Sequence, residues 1–263
     1  MPQTALRHFQ EDIQRARALV RHAADLACPS DAERLLRDDV LRSAWMFAVG
    51  ALDAYFCDAY TDLVATTINA QQRQPAPAVT LPDFFLNIRV PVRAVLQHYS
   101  ANTNWRWRMA ARKLMERENV LSLKTIQDLF NKFLANKQHF FQDLLPTWIQ
   151  APTAKKRLFG ITAKQFLALP ATPAQPREAA IKSARQVLER RFHKVFQRRH
   201  DCIHSCDRPR VSPQPIGSHG SALKVIEDVE FLVTNCDAHL EIEFRQFLVQ
   251  IGCTNATITS VGY

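Results

Sequence analysis

The chain has 263 residues, a 47% hydrophobic fraction and a formal charge of +9. That is enough apolar residue for a sizeable core, and the six glycines are too few for the tight turns of a sheet-rich fold. No apolar run approaches the roughly 18–20 residues that span a bilayer, and the polar, mixed-charge start from Met1 to Gln14 does not read as a signal peptide. The expectation is a cytoplasmic protein with no membrane span. The cysteines at 28, 57, 202, 206, 236 and 253 form no CxxC pair, so they are expected as reduced thiols.

Helical periodicity organises the chain. A first helix is predicted over about Thr4–Ala27, from the spacing of Leu6, Phe9, Ile13, Ala16 (or Arg17) and Val20. Ser30 and Glu33 then form a capping-box signature that opens a long helix over about Asp31–Asn69. Its stripe of Leu41, Trp45, Ala48, Leu52, Tyr55 and Leu63 marks it as a buried bundle helix, and Asp53 lies among apolar neighbours. Gln71–Leu81 reads as a Pro-rich linker. Shorter helices are expected near Pro82–Tyr99, Thr103–Arg117, Ser122–Leu134 and Thr162–Leu169, with prolines at 146, 152, 170, 173 and 176 breaking the end of this stretch. A third long helix, about Arg177–Cys206, ends before a Pro-rich loop, and a last one covers about Ser221–Ile251 with Gly252 as its C-cap. The expected fold class is all-α: one domain, 1–263, an antiparallel bundle of long helices (core about 4–70 and 176–251) with a helical insertion (about 81–170) between the second and third.

Charge is concentrated late in the chain. Lys182–Arg210 carries nine basic residues, Arg191, Lys194 and Arg208 among them, against three acidic ones. Such a patch favours a polyanion, most commonly nucleic acid, although a solvated basic face has the same composition. A second segment interleaves indoles with cations at Trp105, Arg106, Trp107 and Arg108. It could stack unpaired bases and hold phosphates, or one tryptophan could anchor the insertion.

Chemistry concentrates at Arg199-His200-Asp201-Cys202-Ile203-His204, with Arg198 and His193 close by. Cleavage of RNA needs a base near the 2′-OH, an acid near the leaving oxygen and a cation for the phosphorane charge. Imidazole titrates near neutrality and guanidinium clamps phosphate, so His204 and Arg199 suit those roles with no metal. A second reading is a metal site, because His200 and His204 at i,i+4 share a helix face in an H-D-x-x-H pattern and Glu227 or Glu230 could complete it. Cys202 and Cys206 share the same spacing, with packing as their simpler role. A third reading is structural: Arg and His at a helix end complement its dipole.

Arg199, four intervening residues and His204, near the end of a helix in an all-α bundle, resemble the R-x4-6-H motif of the HEPN superfamily. The apolar run Ser43–Tyr60 resembles the preceding helix of that superfamily, and the insertion is similar to the RiboL-PSP-like branch. The resemblance covers roughly Ser30–Asn69 and Arg177–Gln250. It implies a metal-independent endoribonuclease without cofactors that leaves a 2′,3′-cyclic phosphate. It also implies a homodimer that brings two motifs to one cleft, often in toxin–antitoxin or antiphage defence with an antitoxin or partner protein. Arg199 and His204 carry over as the catalytic pair, and His200 as the polar residue after the Arg. Arg198 is expected in support, and Asp53, by analogy, as an acid orienting Arg199. A catalytically inactive nucleic-acid-binding module of the same fold is the alternative. Arg199 and His204 lie about 140° apart around an ideal helix, so either the helix end unwinds or a second protomer completes the pair.

Overall fold

The computed structural model describes residues 2–74, 79–89, 92–97, 103–116, 119–135, 139–172, 174–205, 216 and 218–262. The first helix, α1 (Pro2–Asp25), buries Ala5, Phe9, Ile13, Ala16, Val20 and Ala23 along one stripe. Arg17, at the margin of that stripe, reaches Glu230 at 2.6 Å. The next helix, α2 (Asp31–Arg73), opens on the expected capping box, with Ser30 and Glu33 bonding reciprocally. It outruns its predicted end because its last turn has partners. Arg73 donates to the Ser260 carbonyl at 2.5 Å, and Gln74 bridges the Gly252 carbonyl and the Thr254 amide, both at 2.8 Å.

The insertion supplies α3 (Asp83–Leu86), α4 (Val92–Gln97), α5 (Thr103–Met115) and α6 (Leu123–Phe130). A 3-10 turn (Asn131–Phe133), α7 (Leu145–Gln150), α8 (Lys156–Phe159) and α9 (Ala163–Leu167) follow. The long helices α10 (Gln175–Ser205) and α11 (His219–Gln250) come next, and α12 (Asn255–Ser260) closes the order. All regular structure among the described residues is helical. The sequence pattern missed α7, α8 and α12. These are short: Pro146 sits in the first turn of α7, and Thr254 caps α12 through the Thr257 amide.

A continuous hydrophobic core runs from Ala5 to Ile258 and joins bundle and insertion. Its centre is α1, α2 and α11. Phe9 stacks edge-on to Tyr55 at 5.9 Å, and the Tyr55 hydroxyl donates to Asp237 at 2.8 Å. The pairings Phe9–Tyr55–Asp237, Arg17–Glu230 and Gln74–Gly252 make α1 antiparallel to both partners and leave α2 and α11 running in the same direction. The long helices are therefore not uniformly antiparallel, against the expectation of an antiparallel bundle. The insertion docks through rings: Phe130 and Phe133 meet Phe56 and Tyr60 of α2, and Phe133 meets Phe244 and Phe247 of α11, with centroids 5.5–6.0 Å apart. Edge-to-face pairs of this kind add to the apolar area they bury. An 18-residue window of α2 reaches mean hydropathy 1.2, long and apolar enough to cross a bilayer, where the sequence reading had found no such run. Half of that window is buried inside the fold, and the core accounts for its apolarity.

The helix α10 is fixed by three kinds of contact. The Trp45 indole donates to the Val195 carbonyl at 3.1 Å. Asp228 of α11, fully buried, accepts from Arg191 of α10 at 2.7 Å and from Arg157 of α8 at 2.8 Å. Arg157 also pairs with Glu227 at 2.6 Å. Burial pushes the Asp228 carboxyl above its ordinary range, while the two guanidiniums pull it back. The third contact is steric. Gly160 ends α8 at φ 73°, and a Cβ there would sit 3.2 Å from the Val187 side chain.

Asp228→Ala leaves two partly buried guanidiniums without their shared acceptor. It is expected to lower unfolding free energy by about 3 kcal/mol or more, read from urea or guanidinium midpoints. A loss under 1 kcal/mol would show that the clamp is dispensable. Gly160→Ala, strained in the left-handed region and crowded by Val187, is expected to cost about 1–2 kcal/mol in the same measurement.

Candidate active site

The last turns of α10 carry the motif. The helix stays regular through Ser205, so Arg199 and His204 lie on one continuous helix, about 140° apart around it. The helix end does not unwind before His204. His200 and His204 are exposed, with ring centroids 4.3 Å apart and planes tilted by 42°. Asp201 accepts from Gln197 at 2.8 Å, one turn back. Arg198 and Arg199 are half-buried, and Ile203 is 47% exposed. No carboxylate among the described residues pairs with Arg199.

The other predicted site residues part company. Asp53 does not orient Arg199. Its carboxylate accepts the Val120 amide at 2.7 Å and contacts the Cys57 thiol, and so pins the insertion to α2. Asp53 is about 80° around α2 from Trp45, the residue that meets α10. Arg191, expected on RNA, is held on Asp228. Arg108, likewise expected on RNA, is bound to Asp62 at 2.9 Å, a pair that is 22% and 5% exposed. Both guanidiniums are committed to buried carboxylates and hold the fold together. Lys194 and Trp105 are exposed, and Arg106 lies over the Trp107 ring, 5.5 Å from its centroid. Trp107 is the anchoring tryptophan, its indole donating to Gln72 of α2 at 3.1 Å. Arg208 and Cys206 lie outside the described residues.

The metal alternative loses its third ligand. Glu230 is paired with Arg17 and Glu227 with Arg157. Among the described residues no group of three or more His, Cys, Asp or Glu side chains converges on a metal-sized site. Burial, with Asp53 and Asp58 nearby, pushes the Cys57 thiol up to about 12, which favours the protonated form. The sequence reading missed the partners Asp62, Arg157 and Asp228. Their signal is charge inside an apolar pattern: Asp62 stands in the apolar run of α2 and Asp228 in that of α11.

No protein-family model, no curated protein and no solved structure matches this chain.

Asp62 has one carboxylate oxygen on Arg108 and the other buried without a hydrogen-bond partner. Burial raises its pKa from 3.8 to about 6, against the opposing pull of Arg108. The folded protein thus holds this proton more tightly than the unfolded chain, so ionised Asp62 costs stability above pH 6. That cost is relieved as pH falls from 6 toward 4. Relative to Asp62→Asn, the wild type is expected to gain about 2–3 kcal/mol between pH 7 and pH 4. Parallel stability–pH profiles for the two proteins would contradict this.

Proposed function

We propose that this chain is a metal-independent endoribonuclease of HEPN type that acts as a homodimer, with the end of α10 as its active site. The observation that carries the reading is the exposed His200–His204 pair, 4.3 Å between rings, on the same helix end as Arg199, which has no carboxylate partner among the described residues. A guanidinium not neutralised by a carboxylate can take a phosphate oxygen bidentately. Imidazoles open to solvent can accept the 2′-OH proton and deliver one to the departing 5′ oxygen.

In this reading the RNA 2′ oxygen attacks the adjacent phosphorus and the P–O5′ bond breaks. The products are a 2′,3′-cyclic phosphate and a free 5′-hydroxyl. His204 removes or returns the proton, Arg199 balances charge on the phosphorane, and His200 and Arg198 hold the phosphate. The continuous helix keeps Arg199 and His204 of one chain on different faces, so the complete set comes from α10 of two protomers meeting around one phosphate. The bulk basic charge supports the reading less than the sequence suggested, because Arg191 and Arg108 are consumed internally. Lys194 remains exposed on the same helix for backbone contact. An antitoxin or defence partner that masks this helix end fits the same reading.

The test uses structured RNA with excess EDTA. Wild type is expected to cleave and to leave cyclic phosphate ends. Arg199→Ala and His204→Ala are each expected to lose about 100-fold or more in rate. Loss of activity on chelation would move the assignment to a metal-dependent hydrolase. Retained RNA binding with no cleavage by wild type would leave a nucleic-acid-binding module.

A further inference from the structure

A cleft of about 510 Å³ lies between the insertion and α10. Ser122, Lys124 and Gln127 line it from the insertion side, and Glu189, His193 and Phe196 from α10. Its volume falls in the ordinary range of small-ligand sites. On α10 the lining residues are in phase with the site already described. Glu189, His193, Phe196, His200 and His204 follow one another at steps of four, three, four and four residues, and so occupy one face. The cleft therefore opens onto the same helix face as the histidine pair. His193 stands about 10 Å from His200 along the helix axis, at 1.5 Å per residue.

The chemistry of the walls selects an uncharged guest. Lys124 is paired with Asp128 at 2.5 Å, and Arg185, which also lines the cleft, with Glu189 at 2.9 Å. Each cation in the cleft carries its own counter-charge, so a phosphate gains little there. What remains is a flat surface and polar edges. The imidazole of His193 is exposed, the Phe196 ring is almost fully buried beside it, and hydroxyl, amide and carboxylate groups surround them. A planar heterocycle with hydrogen-bonding edges fits such walls: aromatic and imidazole faces stack on unpaired bases, while amides and carboxylates read their edges.

We infer that this cleft is a subsite for one unpaired nucleobase of single-stranded RNA, flanking the phosphate held at His200 and His204, and that it sets the sequence preference of the protein. The inference rests on the ribonucleic-acid reading of the α10 end. It gives the insertion a role, since α6 and the residues before it form the wall facing α10. His193 supplies the stacking face, and the Glu189 oxygen not bonded to Arg185 an acceptor for a base amino group. Phe196 is the floor between this subsite and the histidine pair.

The test separates the subsite from catalysis by measuring binding in a His204→Ala background. Four fluorescein-labelled single-stranded RNA hexamers, each of one base type, are titrated by anisotropy. The parent is expected to separate its best and worst hexamers by about tenfold in Kd. Adding His193→Ala is expected to shrink that separation to about twofold or less, and adding Glu189→Gln to change which base binds best. Both side chains are exposed, so neither substitution threatens the core. Equal affinity for all four hexamers in the parent, or discrimination that survives His193→Ala, overturns the subsite. Discrimination that depends on His193 in a chain whose wild type never cleaves RNA upholds the subsite and overturns only the catalytic assignment. No binding of any hexamer overturns both.

Discussion

A single buried carboxylate ties α10 to α11 and, through Arg157, to α8. Asp228 has no exposed surface, and an ionised group so placed is tolerable only because guanidiniums from α8 and α10 both reach it. Arg157 also pairs with Glu227, so among the described residues the clamp is a cluster of two cations and two anions. Its geometric effect exceeds its net energy. Dispersion and apolar burial would tolerate α10 sliding along its neighbours, whereas the directed Arg191–Asp228 bond, on a carboxylate also held by Arg157, resists it. Every residue of the proposed site and of the adjoining cleft wall on α10 inherits its position from that register.

The clamp works because the surrounding helices are themselves rigidly placed. The helix α2 is buried on more than one face from Ala44 to Ala70, with α1, α5, α10 and α11 around it. Five polar groups inside this apolar column have structural partners, although the second Asp62 oxygen keeps none. Tyr55 bonds Asp237, Asp53 takes the Val120 amide, Asp62 takes Arg108, and Thr61 and Thr67 return to carbonyls one turn back. Two of these bonds reach into the insertion, at Val120 and Arg108. The insertion is thus built into the bundle core, which is what allows its wall to face α10 at a fixed separation and enclose a cleft.

Much of the fold is legible in the chain because helical period and capping are local. The stripe of α1, the Ser30–Glu33 box and the extents of α2, α10 and α11 to within a few residues all follow from neighbours within one or two turns. Directions between helices do not, since nothing local says that α2 and α11 run the same way. The candidate site divides along the same line. That Arg199, His200 and His204 share a helix end is a local fact. That Arg191 and Arg108 are withdrawn from solvent depends on Asp228, 37 residues on, and on Asp62, in a different helix. Asp53 is the clearest case: its partner is a backbone amide 67 residues away, which no side-chain pattern announces. His193 stood in view beside the motif, but only the insertion wall opposite gives it a cleft to line.

The central claim is that one catalytic set draws on two copies of α10, because a continuous helix keeps Arg199 and His204 on different faces of the same chain. Mixing the two inactive variants tests it most directly. Arg199→Ala and His204→Ala proteins, unfolded and refolded together in equal amounts, form mixed dimers in which one of the two composite sites has both residues intact. The account predicts that RNA cleavage returns to about a quarter of the wild-type rate, given random pairing in a two-fold dimer. Activity that stays at the level of the separate variants, with mixed dimers demonstrably present, would contradict it.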